Sequence, residues 1–159
     1  MAKKTKQTKT LPIYILNGPN LNLLGHREPE VYGYTTLAEI EEMCAAQAAG
    51  HGLSIIFRQS NREGEIVDHL QEARTSGSAV IINPAGYGHT SIAILDSIQA
   101  CGLPVIEVHL SNIHRREPYR NHSYVSKGAT GIIMGLGAQG YVRAVDAVAE
   151  ILSAKGKKK

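Results

Sequence analysis

Five short aliphatic runs, separated by amphipathic stretches, constrain the fold more than any other feature of this chain. They read "PIYILNG" (12–18), "LSIIFRQS" (53–60), "SAVIINP" (78–84), "LPVIEVHLS" (103–111) and "ATGIIMG" (129–135). Within each run the apolar residues are largely continuous rather than alternating, the pattern of strands covered on both faces, as in a parallel sheet. Between the runs the apolar period lengthens to that of a helix. Thr36 and Glu39 have the spacing of a capping box, ahead of a helical pattern through Leu37, Ile40, Met43 and Cys44 that stops at Gly50 and Gly52. A second helix carries Ile66, Val67, Leu70 and Ala73 and ends at Gly77; a third carries Ile92, Leu95 and Ile98 and ends near Gly102. The last carries Tyr141, Val142, Val145, Val148 and Leu152, and the stretch 112–128 shows no clear period.

Five strand–helix units joined by right-handed crossovers predict an α/β, flavodoxin-like doubly wound sandwich: a five-stranded parallel sheet with helices on both faces. A chain of 159 residues is one domain by length and can bury a substantial core. Charge divides it further. Eight of its 17 basic residues lie at the ends (Lys3, Lys4, Lys6, Lys9, Lys155, Lys157, Lys158 and Lys159). The nine that remain face 14 acids, so the body carries about −5. The reading is a disordered basic arm at 1–10, a single catalytic domain at 11–154 and a basic tail at 155–159. The tails have no interleaved aromatics for base stacking and the body is acidic, so no nucleic-acid partner is expected. No apolar run approaches the roughly 18 residues of a membrane span, and "MAKKTKQTKT" lacks the apolar segment of a secretory signal. Cys44 and Cys101 each fall in an apolar helical pattern and read as buried free thiols. A cytoplasmic, reducing setting fits these features.

In such a sheet, ligands bind beyond the carboxyl ends of the strands, and the polar residues gather there. "NGPNLNLLGHREPEVYG" follows the first strand, "NPAGYGHTS" ends the third, and "EVHLSNIHRREPYR" ends the fourth. Together they supply Asn17, Asn20, Arg27, Tyr32, Asn83, His89, His109, Ser111 and Arg120. "GLGAQG" (135–140) matches a dinucleotide fingerprint in spacing but follows the last strand, and the chain about 20 residues on is a lysine tail instead of an acid. Tight helix–sheet packing is the expected use of its glycines. The loop after strand one lacks the hydroxyl side chains that would surround a flavin phosphate. His109, His114 and His122 lack metal-ligand spacing, no nucleophile elbow is present, and the only lysine outside the tails is Lys127.

What remains is acid–base chemistry on a small polar anion. Glu107 and His109 are two apart on one strand and so share a face, where the carboxylate can orient the imidazole. The same pair could equally be a core histidine satisfied by a carboxylate. The N–H groups of Leu110 and Ser111 and the Ser111 hydroxyl suit a carboxylate. Arg27, Arg116 and Arg120 are candidate anion contacts, although "RREPYR" is also what a solvated charge run looks like. A non-catalytic flavodoxin-like protein binding a nucleotide or anion is the reading from another class, and bound-flavin absorbance would favour it.

"NGPNLNLLGHREPEVYG", "INPAGYGHTSIAILD", "EVHLSN" and "RNHSYVSKGATGIIMGLGAQGY" together resemble the type II 3-dehydroquinate dehydratases, over about Pro12 to Leu152. The resemblance implies a flavodoxin-like fold, no cofactor, no metal and a homododecamer built from trimers. The implied reaction is anti elimination of water from 3-dehydroquinate through an enolate, giving 3-dehydroshikimate, in the shikimate pathway or in quinate catabolism. It makes Tyr32 the proton acceptor, Arg27 the stabiliser of the charged tyrosine and the transition state, and His109 the proton donor. Asn20 would hold the water that steadies the enolate. Asn83, His89, Leu110, Ser111 and Arg120 would bind substrate, and Asp96 would reach the site of a neighbouring subunit. The segment after Pro84 (Ala85, Gly86, Tyr87, Gly88) differs from the family's more usual glycine-alanine-tyrosine-threonine. The physics suits these roles: a cation within about 4–6 Å of a phenol favours its charged form, and arginine is always charged.

Overall fold

The computed structural model describes residues 9–157; what the sequence suggests for residues 1–8, 158 and 159 lies outside the described residues. The aliphatic runs form β1 (Ile13–Asn17), β2 (Ile55–Gln59), β3 (Ala79–Asn83), β4 (Val105–His109) and β5 (Gly131–Met134). All pair in parallel, in the order β2-β1-β3-β4-β5. The helical patterns become α2 (Leu37–Gly50), α3 (Glu63–Ser76), α4 (Ile92–Cys101) and α5 (Gln139–Gly156), preceded by a single turn, α1 (Pro29–Tyr32). The sheet is therefore the flavodoxin-like doubly wound one. Among the described residues no helix is long and apolar enough to cross a membrane.

Strand alternation divides the core in two. Ile13, Ile15, Ala79, Ile81, Ile106 and Val108 point to one face and pack with Ile40, Cys44 and Ala48 of α2 and Tyr141, Ala144, Val145 and Val148 of α5. Tyr14, Leu16, Val80, Ile82 and Val105 point to the other and meet Ile66, Leu70 and Ala73 of α3 and Ile94 and Ile98 of α4. Each large aliphatic side chain removed from water contributes about 1.5–3 kcal/mol, which is why the three central strands are aliphatic almost end to end.

The helix ends follow local chemistry. The Thr36 hydroxyl accepts from Glu39 N at 3.2 Å, and the Glu39 carboxylate accepts from Thr36 N at 2.7 Å, closing the expected box. Ser91 caps α4 through Ile94 N at 3.0 Å. α5 continues through Lys155 to Gly156, so the start of the basic tail is helical. In "GLGAQG", Gly140 does pack against Ile133 and Val108, at 3.5 and 3.6 Å from where a Cβ would stand. Gly135 and Gly137 serve conformation instead, with φ of 86° and 58°. The aperiodic 112–128 stretch folds as three 3-10 turns, over Ile113–Arg115, Pro118–Arg120 and Val125–Lys127. Ile113 and Val125 pin it to the core.

The chain winds one way from β1 to β2 and the other way from β1 through β3 to β5. The crevice left between β1 and β3 at their carboxyl ends is where a sheet of this kind binds its ligand.

Candidate active site

A cavity of about 160 Å³ opens at that crevice. Asn20, Arg27 and Tyr32 reach it from the segment after β1, Asn83 and His89 from the end of β3, and His109, Leu110, Ser111, Arg116 and Arg120 from the end of β4. Leu21, Leu24 and Ile113 supply apolar wall. Three strand ends that are remote in sequence thus line one space because the parallel register brings them level. Asn17 and Glu107 lie behind that wall, in the interior. Asp96 stands on the exposed side of α4, outside the lining.

The segment after β1 is anchored at its base by buried Leu21 and Leu24. Asn20 adopts left-handed backbone, φ 67°, and its N–H donates to Asn61 Oδ1 at 2.9 Å. Pro29 then starts the α1 turn, whose last residue is Tyr32. Two guanidiniums face the Tyr32 ring: Arg27 with its Cζ 5.1 Å from the centroid and Arg116 at 5.7 Å. Arg27 Nη2 is paired with Glu28 at 3.0 Å. Arg116 Nη1 is the group that donates to the Tyr32 hydroxyl, at 3.4 Å, and it reaches Ser111 Oγ at 3.3 Å. "RREPYR" is therefore a divided stretch. Arg115 is exposed, Arg116 lies over Tyr32, and Arg120 lines the cavity while bound to Glu117 at 2.8 Å. Two cations thus flank the Tyr32 phenol.

At the end of β4, His109 Nε2 meets Glu107 Oε1 at 2.6 Å, with Glu107 fully buried and His109 5% exposed. Ser126 donates to the other carboxylate oxygen at 2.5 Å. Burial pushes the Glu107 carboxyl up, but the His109 imidazole together with the neighbouring Ser123 and Ser126 hydroxyls holds the group below the ordinary glutamate range. An ionised Glu107 can only accept, so His109 donates from Nε2 and keeps Nδ1 as its remaining nitrogen. The pair is both core and cavity: its carboxylate is satisfied inside and its imidazole lines the cavity.

At the end of β3, Asn83 Oδ1 accepts from Ala85 N at 3.1 Å. Ala85 has φ of 50°, the left-handed region. His89 Nδ1 donates to the His122 carbonyl at 2.6 Å, and His122 Nε2 donates to the His89 carbonyl at 3.1 Å. Burial, with the nearby His109, His122 and Arg120, holds His89 below its ordinary value. Among the described residues no group of three or more His, Cys, Asp and Glu is gathered as for a metal ion.

The sequence model of the family described as "Dehydroquinase class II" matches residues 11–149. The chain belongs to the class II dehydroquinase family. A "3-dehydroquinate dehydratase" of Streptomyces coelicolor is 58% identical, over 90% of this chain and 92% of the relative. One from Caulobacter sp. (strain K31) is 57% identical, over 90% of this chain and 97% of the relative. The crystal structure of a type II dehydroquinase from Propionibacterium acnes superposes with a TM-score of 0.85 and 40% identity, covering 89% of this chain and 97% of that one.

For this class II dehydroquinase, sequence reasoning collected the strand-end residues but not their supports. Arg116 stood among three arginines with nothing to single it out. Ser126 lay in the aperiodic stretch, and Tyr141 read as one more apolar residue of α5. A hydroxyl among aliphatics on an inward helix face was the one available signal for Tyr141, because a buried hydroxyl needs a partner.

Proposed function

We propose that the protein is a 3-dehydroquinate dehydratase that eliminates water from 3-dehydroquinate through an enolate, giving 3-dehydroshikimate. The observation that carries this reading is the pairing of two groups in one small cavity. One is a phenol between two guanidiniums, and the other is an imidazole backed by a buried carboxylate. Tyr32, as phenolate, takes a proton from C2 of the substrate, and the electron pair moves onto the ketone oxygen. Arg27 and Arg116 offset the charge that moves between phenol and enolate. Asn20 holds the water that steadies the enolate oxygen. Collapse of the enolate expels the hydroxyl on the opposite face, and His109 supplies its proton while Glu107 keeps the ring oriented. The substrate carboxylate is held by the N–H groups of Leu110 and Ser111 and by the Ser111 hydroxyl. Asn83, His89 and Arg120 bind the remaining oxygens.

The proposed assembly is a homododecamer built from trimers, in which Asp96 completes a neighbouring subunit's cavity. The exposed position of Asp96, outside its own cavity, supports this. The catalytic domain is assigned to residues 11–154 with basic extensions at 1–10 and 155–159. A cytoplasmic role in the shikimate pathway or quinate catabolism suits it. Incubating the purified protein with 3-dehydroquinate alone and following the ultraviolet absorbance of the conjugated product tests the activity. Folded protein that yields no product would sink the reading. The mass of the assembly in solution tests the dodecamer.

A further inference from the structure

β1 and β3 are neighbours in register, with Asn17 opposite Asn83. Side chains alternate along a strand, so both asparagines follow Ile13, Ile15, Ala79 and Ile81 onto the face covered by α2 and α5. Two amides at the edge of an aliphatic layer are costly unless their polar atoms find partners there. One hydroxyl serves both. Tyr141, 0% exposed, donates to Asn17 Oδ1 at 2.7 Å and accepts from Asn83 Nδ2 at 2.9 Å. The outer ends of the pair are fixed as well: Asn17 Nδ2 donates to the Arg58 carbonyl at 3.0 Å, and Asn83 Oδ1 accepts from Ala85 N at 3.1 Å.

This chain of bonds has a direction. Tyr141 has a single proton, and Asn17 takes it. If the Asn83 amide flipped, its NH₂ would face the Ala85 N–H, donor against donor. Its oxygen would then face a hydroxyl whose proton is already given away. Only one orientation satisfies every atom. In it, Nδ2 spends one N–H on Tyr141 and keeps the other, and Asn83 lines the cavity. We infer that Tyr141, a residue of α5 outside the cavity, is a positioning residue that fixes the Asn83 amide so that Asn83 presents an N–H donor to the bound substrate. Burial also pushes the Tyr141 hydroxyl above its ordinary range, so it stays a neutral donor and acceptor. The identity of the substrate rests on the reaction proposed above; the amide orientation does not.

The test is Tyr141→Phe, which keeps the ring that fills the core and removes only the oxygen. With the Tyr141 oxygen gone the amide is held by Ala85 N alone and loses its fixed geometry, and kcat/KM for 3-dehydroquinate falls roughly 10- to 100-fold, mainly through KM. A role in stability alone leaves that ratio unchanged in the folded fraction. The double variant with Asn83→Ala shows little loss beyond Asn83→Ala by itself, because coupled residues do not add. In the variant's crystal structure the Asn83 amide shifts about its remaining bond to Ala85 N. Wild-type kcat/KM, full additivity, or an Asn83 amide that has not moved would each overturn the inference. Wild-type protein inactive on 3-dehydroquinate would overturn the proposed reaction instead, and the amide orientation in Tyr141→Phe would still decide the positioning role. If Tyr141→Phe does not fold, Asn17→Ala removes the acceptor that directs the Tyr141 proton away from Asn83, and the same shift of the Asn83 amide and the same loss are expected.

Discussion

Glu107→Gln removes a charge and keeps a shape, and so isolates what the buried carboxylate does for His109. The carboxylate holds His109 Nε2 at 2.6 Å on one oxygen and Ser126 Oγ at 2.5 Å on the other. A hydrogen bond to an ionised partner contributes about 1.5–3 kcal/mol and a neutral one about 0.5–1.5 kcal/mol. Removing the charge weakens the two bonds together by roughly 2–3 kcal/mol, part of which is offset because no charge is then buried. The glutamine NH₂ also confronts one of two donors, so the imidazole loses its fixed orientation. If one bond's share, about 1–1.5 kcal/mol, is felt in the transition state, kcat falls about tenfold, and misorientation extends this toward 100-fold.

The charge also leaves a signature in acid. The folded Glu107 carboxyl lies below its ordinary value of about 4.5. Its stabilisation is therefore complete above that value and is lost as pH falls through the lower, folded one. Thermal unfolding of wild type and variant measures the gap, at roughly 2–4 °C per kcal/mol for a chain of this size. The gap contributed by the carboxylate narrows as pH falls below about 4.5. A gap that persists unchanged into acid, or a variant with wild-type kcat, would refute the role given to the charge.

Tyr32→Phe removes the proposed base; turnover in the absorbance assay falls roughly 10²- to 10⁴-fold with little change in substrate binding, and unchanged turnover removes Tyr32 from that role. Arg116→Met deletes the donor to the Tyr32 hydroxyl, and kcat falls about 10²-fold; full activity would leave Arg27 as the only cation that matters to the phenol. Thr36→Ala opens the capping box of α2 and costs about 1 kcal/mol, or roughly 2–4 °C in Tm, with kcat/KM unchanged; a drop in activity without a drop in Tm contradicts a purely local cap.

The sheet, its parallel sense and the edge on which the cavity lies were legible in the chain because they follow from local rules. A continuous aliphatic run reports a strand buried on both faces, and a capping box reports a helix start, whatever the rest of the molecule does. Period-two spacing alone puts Glu107 and His109 on one face, and the bond between them spans only two positions. Composition and position likewise gathered Asn20, Asn83 and Ser111 at strand ends. The partners of these groups could not be read that way. The Tyr32 hydroxyl finds Arg116 across 84 positions and Asn17 finds Tyr141 across 124. Such contacts depend on strand order, on the register that sets Asn17 against Asn83, and on how loops without periodicity settle over a core. Five strands and an edge of polar residues are properties of segments; which arginine holds the phenol, and which tyrosine holds two amides, is decided only where segments meet.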